Sequence, residues 1–135
     1  MKPFLFYVEQ NDVRRCTPDP VLATSLEKEA RQRLAFLKTL PLTDESAPFV
    51  LEGAYDVLRM KLEAALARKG YKSYSHVATL AYARDEKLLT EAEFVAADRL
   101  REVRNQSKYY ARRVGHIEAE DARKRVLLFF NRQTG

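Results

Sequence analysis

Four basic residues, Arg101, Arg104, Lys108 and Arg112, recur at spacings of three, four and four, so on any helix that carries them they share one line. Asn105 and Tyr109 flank that line. The combination suits RNA: a guanidinium fork grips phosphate bidentately, an amide reads a base or a ribose hydroxyl, and a tyrosine ring stacks on a base. A plainer explanation covers part of the pattern. Glu91, Glu93, Asp98 and Glu102 come early in the same stretch, and acids near a helix N-terminus with cations near its C-terminus complement the helix dipole without any ligand. What the dipole leaves unexplained is the alignment of the four cations.

Other reactive residue types are few. Cys16 is the only cysteine, which excludes an intramolecular disulfide and a cysteine metal cluster and points to a reducing compartment. His76 and His116 are the only histidines and are far apart in the chain, so neither a metal site nor a cofactor is expected. His76 reads as a capping or packing residue at the start of a helix. The opening apolar run reaches Glu9 too soon for a signal peptide, and no later stretch approaches a membrane-spanning length. A cytoplasmic protein with no membrane partner is the expectation.

The elements that must position these residues are helices. The chain has 135 residues, 46% hydrophobic and 32% charged, with four Gly and five Pro, which fits one folded domain and excludes disordered and fibrous classes. Its net charge of +5 is compatible with a polyanionic partner, although 19 acidic residues are interleaved with the 24 basic ones. Residues 4–14 read as a short helix or a strap, part of an N-terminal extension (1–18) packed on the domain. Asp19 as a cap and Pro20 in a first helical position open a helix whose stripe is Ala23, Leu26, Ala30, Leu34, Leu37 and Leu40, ending at Pro41. The next helix starts near Ser46 or Ala47 and stops at Gly70. Leu51, Tyr55, Leu58, Leu62 and Ala65 form one of its stripes, with Val50, Ala54 and Val57 beside it. Glu52, Asp56, Arg59 and Glu63 make its polar line, either a solvated face or an acidic wall beside a basic site.

Gly70-Tyr71-Lys72-Ser73 reads as a turn, and Ser73 or Ser75 caps a third helix. Thr90 and Glu93 have capping-box spacing and start the fourth, whose stripe runs Ala96, Leu100, Val103, Ser107, Tyr110, Val114 and is ended by Gly115. A last helix covers about 118–132. No segment reads as a strand, so the fold class is all-α, an up-and-down bundle of four to five helices.

Three stretches carry a family resemblance: Gly53 to Arg59 with Glu63 to Leu66, then Gly70 to His76, and above all Leu100-Arg101-Glu102-Val103-Arg104-Asn105-Gln106-Ser107-Lys108-Tyr109-Tyr110. With the Asp19-Pro20 entry and the last helix they resemble small prokaryotic HEPN (higher eukaryote and prokaryote nucleotide-binding) proteins over nearly the whole chain. The resemblance implies a homodimer in which the signature helices, those bearing Arg104 and Asn105, face each other across a cleft. In active members it implies a metal-independent endoribonuclease whose motif is Arg, a polar residue, then His five to seven residues after the Arg. There the His moves protons at the ribose hydroxyl and leaving oxygen, and the Arg stabilises charge on the phosphate.

Arg104 and Asn105 match that motif, whereas Tyr109, Tyr110 and Ala111 stand where the His belongs. His116 comes twelve residues after Arg104, about 18 Å further along a rigid helix. A phenol is a poor substitute, being only about 0.1% ionised at neutral pH. The resemblance therefore implies first a nucleotide- or RNA-binding module, the partner of a minimal nucleotidyltransferase in a toxin-antitoxin-like system, with Tyr109 or Tyr110 as nucleotidylation acceptor. Tyr110 falls on the apolar stripe, which makes Tyr109 the expected accessible ring. The alternatives are an endoribonuclease in which Arg104, Asn105 and a tyrosine (Tyr109) or Lys108 do the chemistry, and a non-catalytic structural protein.

Overall fold

Helix start and stop chemistry operates largely as the residues dictate. The computed structural model describes residues 1–134, with side chains through Gln133. Among them are six helices, which make up most of the chain, and one small two-stranded sheet. The helices are α1 (Phe4–Glu9), α2 (Pro20–Thr39), α3 (Ala47–Lys69), α4 (His76–Asp85), α5 (Glu91–Tyr110) and α6 (His116–Thr134); the strands are β1 (Val13–Arg15) and β2 (Tyr71–Ser73). Asp19 Oδ1 accepts from the Leu22 amide at 2.9 Å, capping α2. Ser75 caps α4 through the Ala78 amide at 3.2 Å. The capping box forms in both directions: Thr90 Oγ1 accepts from the Glu93 amide at 3.1 Å, and Glu93 Oε1 from the Thr90 amide at 2.8 Å.

Two compact units divide the chain, one of residues 1–29 and 59–98, the other of 30–58 and 99–135, with α2, α3 and α5 supplying residues to both. In the first, Phe4, Tyr7, Val13, Leu66, Ala78, Ala81 and Tyr82 form one buried cluster, and Ala23, Ala64 and Ala67 another. Residues 1–18 thus supply core side chains. Proline precedes α1 and offers no side-chain cap, so the Asp85 carboxylate takes that role, accepting from the Phe4 amide at 2.8 Å. Burial opposes the Asp85 charge, but the Phe4 amide and Arg84 guanidinium outweigh it and hold the carboxyl below its ordinary value. Burial, with Glu86 and Tyr71 nearby, pushes the Tyr82 phenol up to about 12.

The mostly helical class holds, and the small sheet corrects only the expectation that no segment is a strand. β1 and β2 pair antiparallel in the register Val13↔Ser73, Arg14↔Lys72, Arg15↔Tyr71, where a strap and a turn were expected. Three residues are too few for an alternating pattern to register. The pairing depends on Gly70, which has φ +83° and whose missing Cβ would stand 2.5 Å from the Cys16 carbonyl. The Gly70 carbonyl in turn accepts from the Cys16 amide at 2.8 Å.

In the second unit the core is drawn from the stripes of α2, α3, α5 and α6: Leu34 and Leu37, Val50, Leu51, Tyr55 and Leu58, Leu100 and Val103, then Val126, Phe129 and Phe130. Gly53 matters here because a Cβ on it would meet Leu37 Cδ2 at 2.8 Å, so α2 and α3 pack closely at that point. Arg123 of α6 donates from Nη1 to the Leu37 and Leu40 carbonyls, each at 2.9 Å, satisfying acceptors that the end of α2 leaves open.

Candidate nucleic-acid interface

The line of four cations does not form. Helix α5 stops at Tyr110 rather than at Gly115, because Ala111 takes the left-handed conformation (φ 53°) and the Arg112 amide turns back to the Gln106 carbonyl at 3.1 Å. Gly115 instead stands before α6 and accepts from the Ala119 amide at 3.1 Å. Arg112 therefore lies beyond the helix. Its two terminal nitrogens donate to the two Glu118 oxygens at 2.9 and 3.2 Å, and this bidentate bond raises the arginine pKa.

Arg104 departs furthest from expectation. Its side chain is only 5% exposed. Nη2 donates to Asp56 Oδ1 at 3.4 Å and Nη1 to Asn105 Oδ1 at 3.3 Å, while the guanidinium lies 5.7 Å from the Tyr55 ring centroid. Both bonds are long beside the about 2.7–2.9 Å usual for charge-assisted pairs, and among the described residues Nε has no hydrogen-bond partner. This is a buried charge held by one acid, one amide and one aromatic face. Contact with a phosphate requires it to leave all three. Asp56, expected on the polar line of α3, is thus the counterion of Arg104. Arg101 is also mostly covered, at 18% exposure, with Nη2 3.9 Å from Glu102.

The last turn of α5 is different. Lys108 is exposed, Tyr109 is 65% exposed and Tyr110 81%, and Arg113 just beyond is exposed as well. Tyr110 was expected on the core stripe and proves the more open of the two rings. The stripe fails there because α5 ends, leaving Val114, at 2% exposure, to return to the core by another path.

The histidines play other parts. The His76 Nε2 accepts from Arg59 Nη1 at 3.1 Å, and Ser75, not His76, is the cap of α4. His116 opens α6, where its Nδ1 is 3.0 Å from Asp44 Oδ1. No group of three His, Cys, Asp or Glu among the described residues could hold a metal, and no helix among them is long and apolar enough to cross a membrane.

A groove of about 340 Å³ in the second unit was not foreseen. Gln32, Arg33, Phe36 and Leu37 of α2 and Gly53, Asp56 and Val57 of α3 line it. One signal for it was present: Phe36 lies off the apolar stripe of α2 and is 64% exposed.

No protein-family model, no curated protein and no solved structure matches the chain.

Proposed function

We propose that this protein is a HEPN-like nucleotide- and RNA-binding module, a homodimeric helical bundle whose ligand surface is the C-terminal end of α5. The observation that carries the reading is the adjacent pair Tyr109 and Tyr110, both largely in solvent, with exposed Lys108 and Arg113 on either side. Leaving two neighbouring aromatic rings outside forgoes burial worth about 1.5–3 kcal/mol for a large apolar side chain. Stacked bases recover such a loss, and the flanking cations supply phosphate attraction. Asn105, half-buried one turn earlier, adds an amide.

The test is fluorescence anisotropy with an unstructured RNA oligonucleotide. Tyr109→Ala and Tyr110→Ala should each weaken binding by about 5- to 150-fold, the equivalent of about 1–3 kcal/mol per stacked base, with the melting temperature unchanged. Equal affinity of the double variant and the parent protein would sink the proposal.

The exposure of Tyr110 also favours a second reading. As the partner of a minimal nucleotidyltransferase in a toxin-antitoxin-like system, the module would offer a phenol Oη that attacks the α-phosphate of a nucleoside triphosphate. A tyrosyl phosphodiester forms, pyrophosphate leaves, and the phenol proton passes to a base on the transferase. Intact-mass measurement after incubation with such an enzyme and a nucleoside triphosphate tests it, with Tyr110→Phe expected to abolish most of the adduct. Ribonuclease chemistry through Arg104 has less support, since its guanidinium is occupied; RNA cleavage in EDTA that disappears in a folded Arg104→Lys variant would reverse that preference.

A further inference from the structure

The ribbon of β1 and β2 sets its side chains on two faces. Val13 is 3% exposed and Tyr71 packs against the buried cluster of the first unit, so positions 13, 15, 71 and 73 form the inner face. Arg15 belongs to that face and is occupied: its Nη1 donates to Tyr71 Oη at 3.4 Å, and its guanidinium lies 5.7 Å from the Tyr71 ring centroid. The outer face holds Arg14 directly opposite Lys72. The ladder runs one bond further at each end, from the Tyr74 amide to the Asp12 carbonyl and from the Cys16 amide to the Gly70 carbonyl, which brings Tyr74 and Cys16 onto the same outer face. Arg14, Lys72 and Cys16 are exposed, and the Tyr74 ring is 62% exposed. Exposed Lys69 comes just before Gly70, and half-buried Asp12 is the one acid among residues 12–16 and 69–74.

Like charges set directly opposite each other on a sheet face repel and destabilise it. Among the described residues the Arg14 and Lys72 side chains form no hydrogen bond or ion pair that would relieve them, whereas Arg59, Arg68 and Arg84 of the same unit are each paired with a carboxylate. We propose that this outer face is a second RNA-binding surface, separate from the end of α5, with a phosphate of a single strand lying between Arg14 and Lys72 and a neighbouring base stacked on Tyr74. Tyr74 is the diagonal neighbour of Arg14, about 7–8 Å away, which is within the span of one nucleotide. The phosphate removes the repulsion that the free ribbon carries and accepts charge-assisted bonds from both cations, while the exposed ring supplies a stacking platform that tolerates any base. A membrane surface fits less well, since only Tyr74 on this face could insert among lipids. The ligand class follows the reading of α5, but the residues and the unit that carry them are different, so either surface can fail alone.

Footprinting at Cys16 tests the proposal directly, because the protein's only cysteine stands on the proposed surface beside Arg14. Saturation with an unstructured RNA oligonucleotide should slow alkylation of Cys16 by iodoacetamide several-fold, and the Tyr109→Ala/Tyr110→Ala variant should show the same protection once saturated. In anisotropy titrations, Arg14→Gln/Lys72→Gln should lower the slope of log affinity against log salt by about one to two. Tyr74→Ala should weaken binding by about fivefold or more, while Tyr74→Phe, which keeps the ring, stays near the parent. The melting temperature of the charge variant should equal or exceed the parent's, since a repulsion has been removed. Unchanged alkylation at saturating RNA, or a parental salt slope in Arg14→Gln/Lys72→Gln, overturns this surface and leaves the α5 reading standing. Affinity lost in the ribbon variants but kept in Tyr109→Ala/Tyr110→Ala sinks the α5 reading and upholds the ribbon. A parent protein that binds no RNA overturns both. Binding to phosphatidylserine vesicles that the charge variant loses, with its RNA binding intact, would make this face a membrane surface and overturn the inference.

Discussion

Arg104 and Tyr110 are six residues apart on one helix, and their surroundings are opposite. Arg104, a residue type that prefers solvent, is buried against Asp56, Asn105 and Tyr55, whereas Tyr110, a ring that gains from burial, is 81% exposed. The arginine is held by Asp56 and the Tyr55 ring, both on α3. The tyrosine is placed by Ala111, whose left-handed turn ends α5 and redirects the chain before the stripe can continue. Residue type and periodicity place the arginine on an open face and the tyrosine on the core stripe; in the folded chain the arginine is buried and the tyrosine exposed.

The largest effect that would break this contrast is on stability. Arg104→Ala should cost about 2–4 kcal/mol in chemical denaturation, somewhat below a fully buried pair because Asp56 keeps 34% of its side-chain surface, and should affect RNA affinity little at temperatures where the variant is folded. A variant as stable as the parent but unable to bind RNA would return Arg104 to the ligand site. Next come the Tyr109→Ala and Tyr110→Ala losses in affinity, about 1–3 kcal/mol each with no loss of stability.

Smaller effects sharpen the comparison through charge. Replacing Lys108 and Arg113 by Gln should lower the slope of log affinity against log salt by about two, roughly one per phosphate contact. Glu118→Gln releases Arg112 from its carboxylate and should raise that slope by about one; an unchanged slope would mean that Arg112 does not reach the ligand even when freed. Smallest is Ala111→Gly. It relieves a positive φ at a residue bearing a Cβ and should stabilise the protein by at most about 1 kcal/mol, visible as a small rise in melting temperature with RNA affinity retained.

Much of the fold was legible because helix ends are local chemistry. Asp19, Ser75, and Thr90 with Glu93 cap where their spacing placed them, and the stripe residues Ala23, Ala30, Leu34 and Leu37 are buried. The two strands were not legible, since three residues cannot display a period and their pairing joins segments far apart in the chain. At the candidate site, the clustering of Lys108, Tyr109 and Tyr110 could be read directly, but the role of Arg104 could not. Its partner Asp56 lies 48 positions earlier, and no spacing rule links two positions on different helices. The groove was half legible: Phe36 is off-stripe by inspection, but the approach of α2 to α3, where Leu37 fills the space a Cβ on Gly53 would take, is set only by the packing.

The sequence by itself determined where most helices begin, which faces turn inward and which residue types gather near position 108, because caps and periodicity act within a turn or two of chain. Only the tertiary structure decided which cations, such as Arg104 and Arg112, are spent on internal acids and which, such as Lys108 and Arg113, stay exposed. Burial and ion pairing depend on what the other helices bring alongside, and a single left-handed residue after Tyr110 is enough to remove Arg112 from the line and set two rings in water.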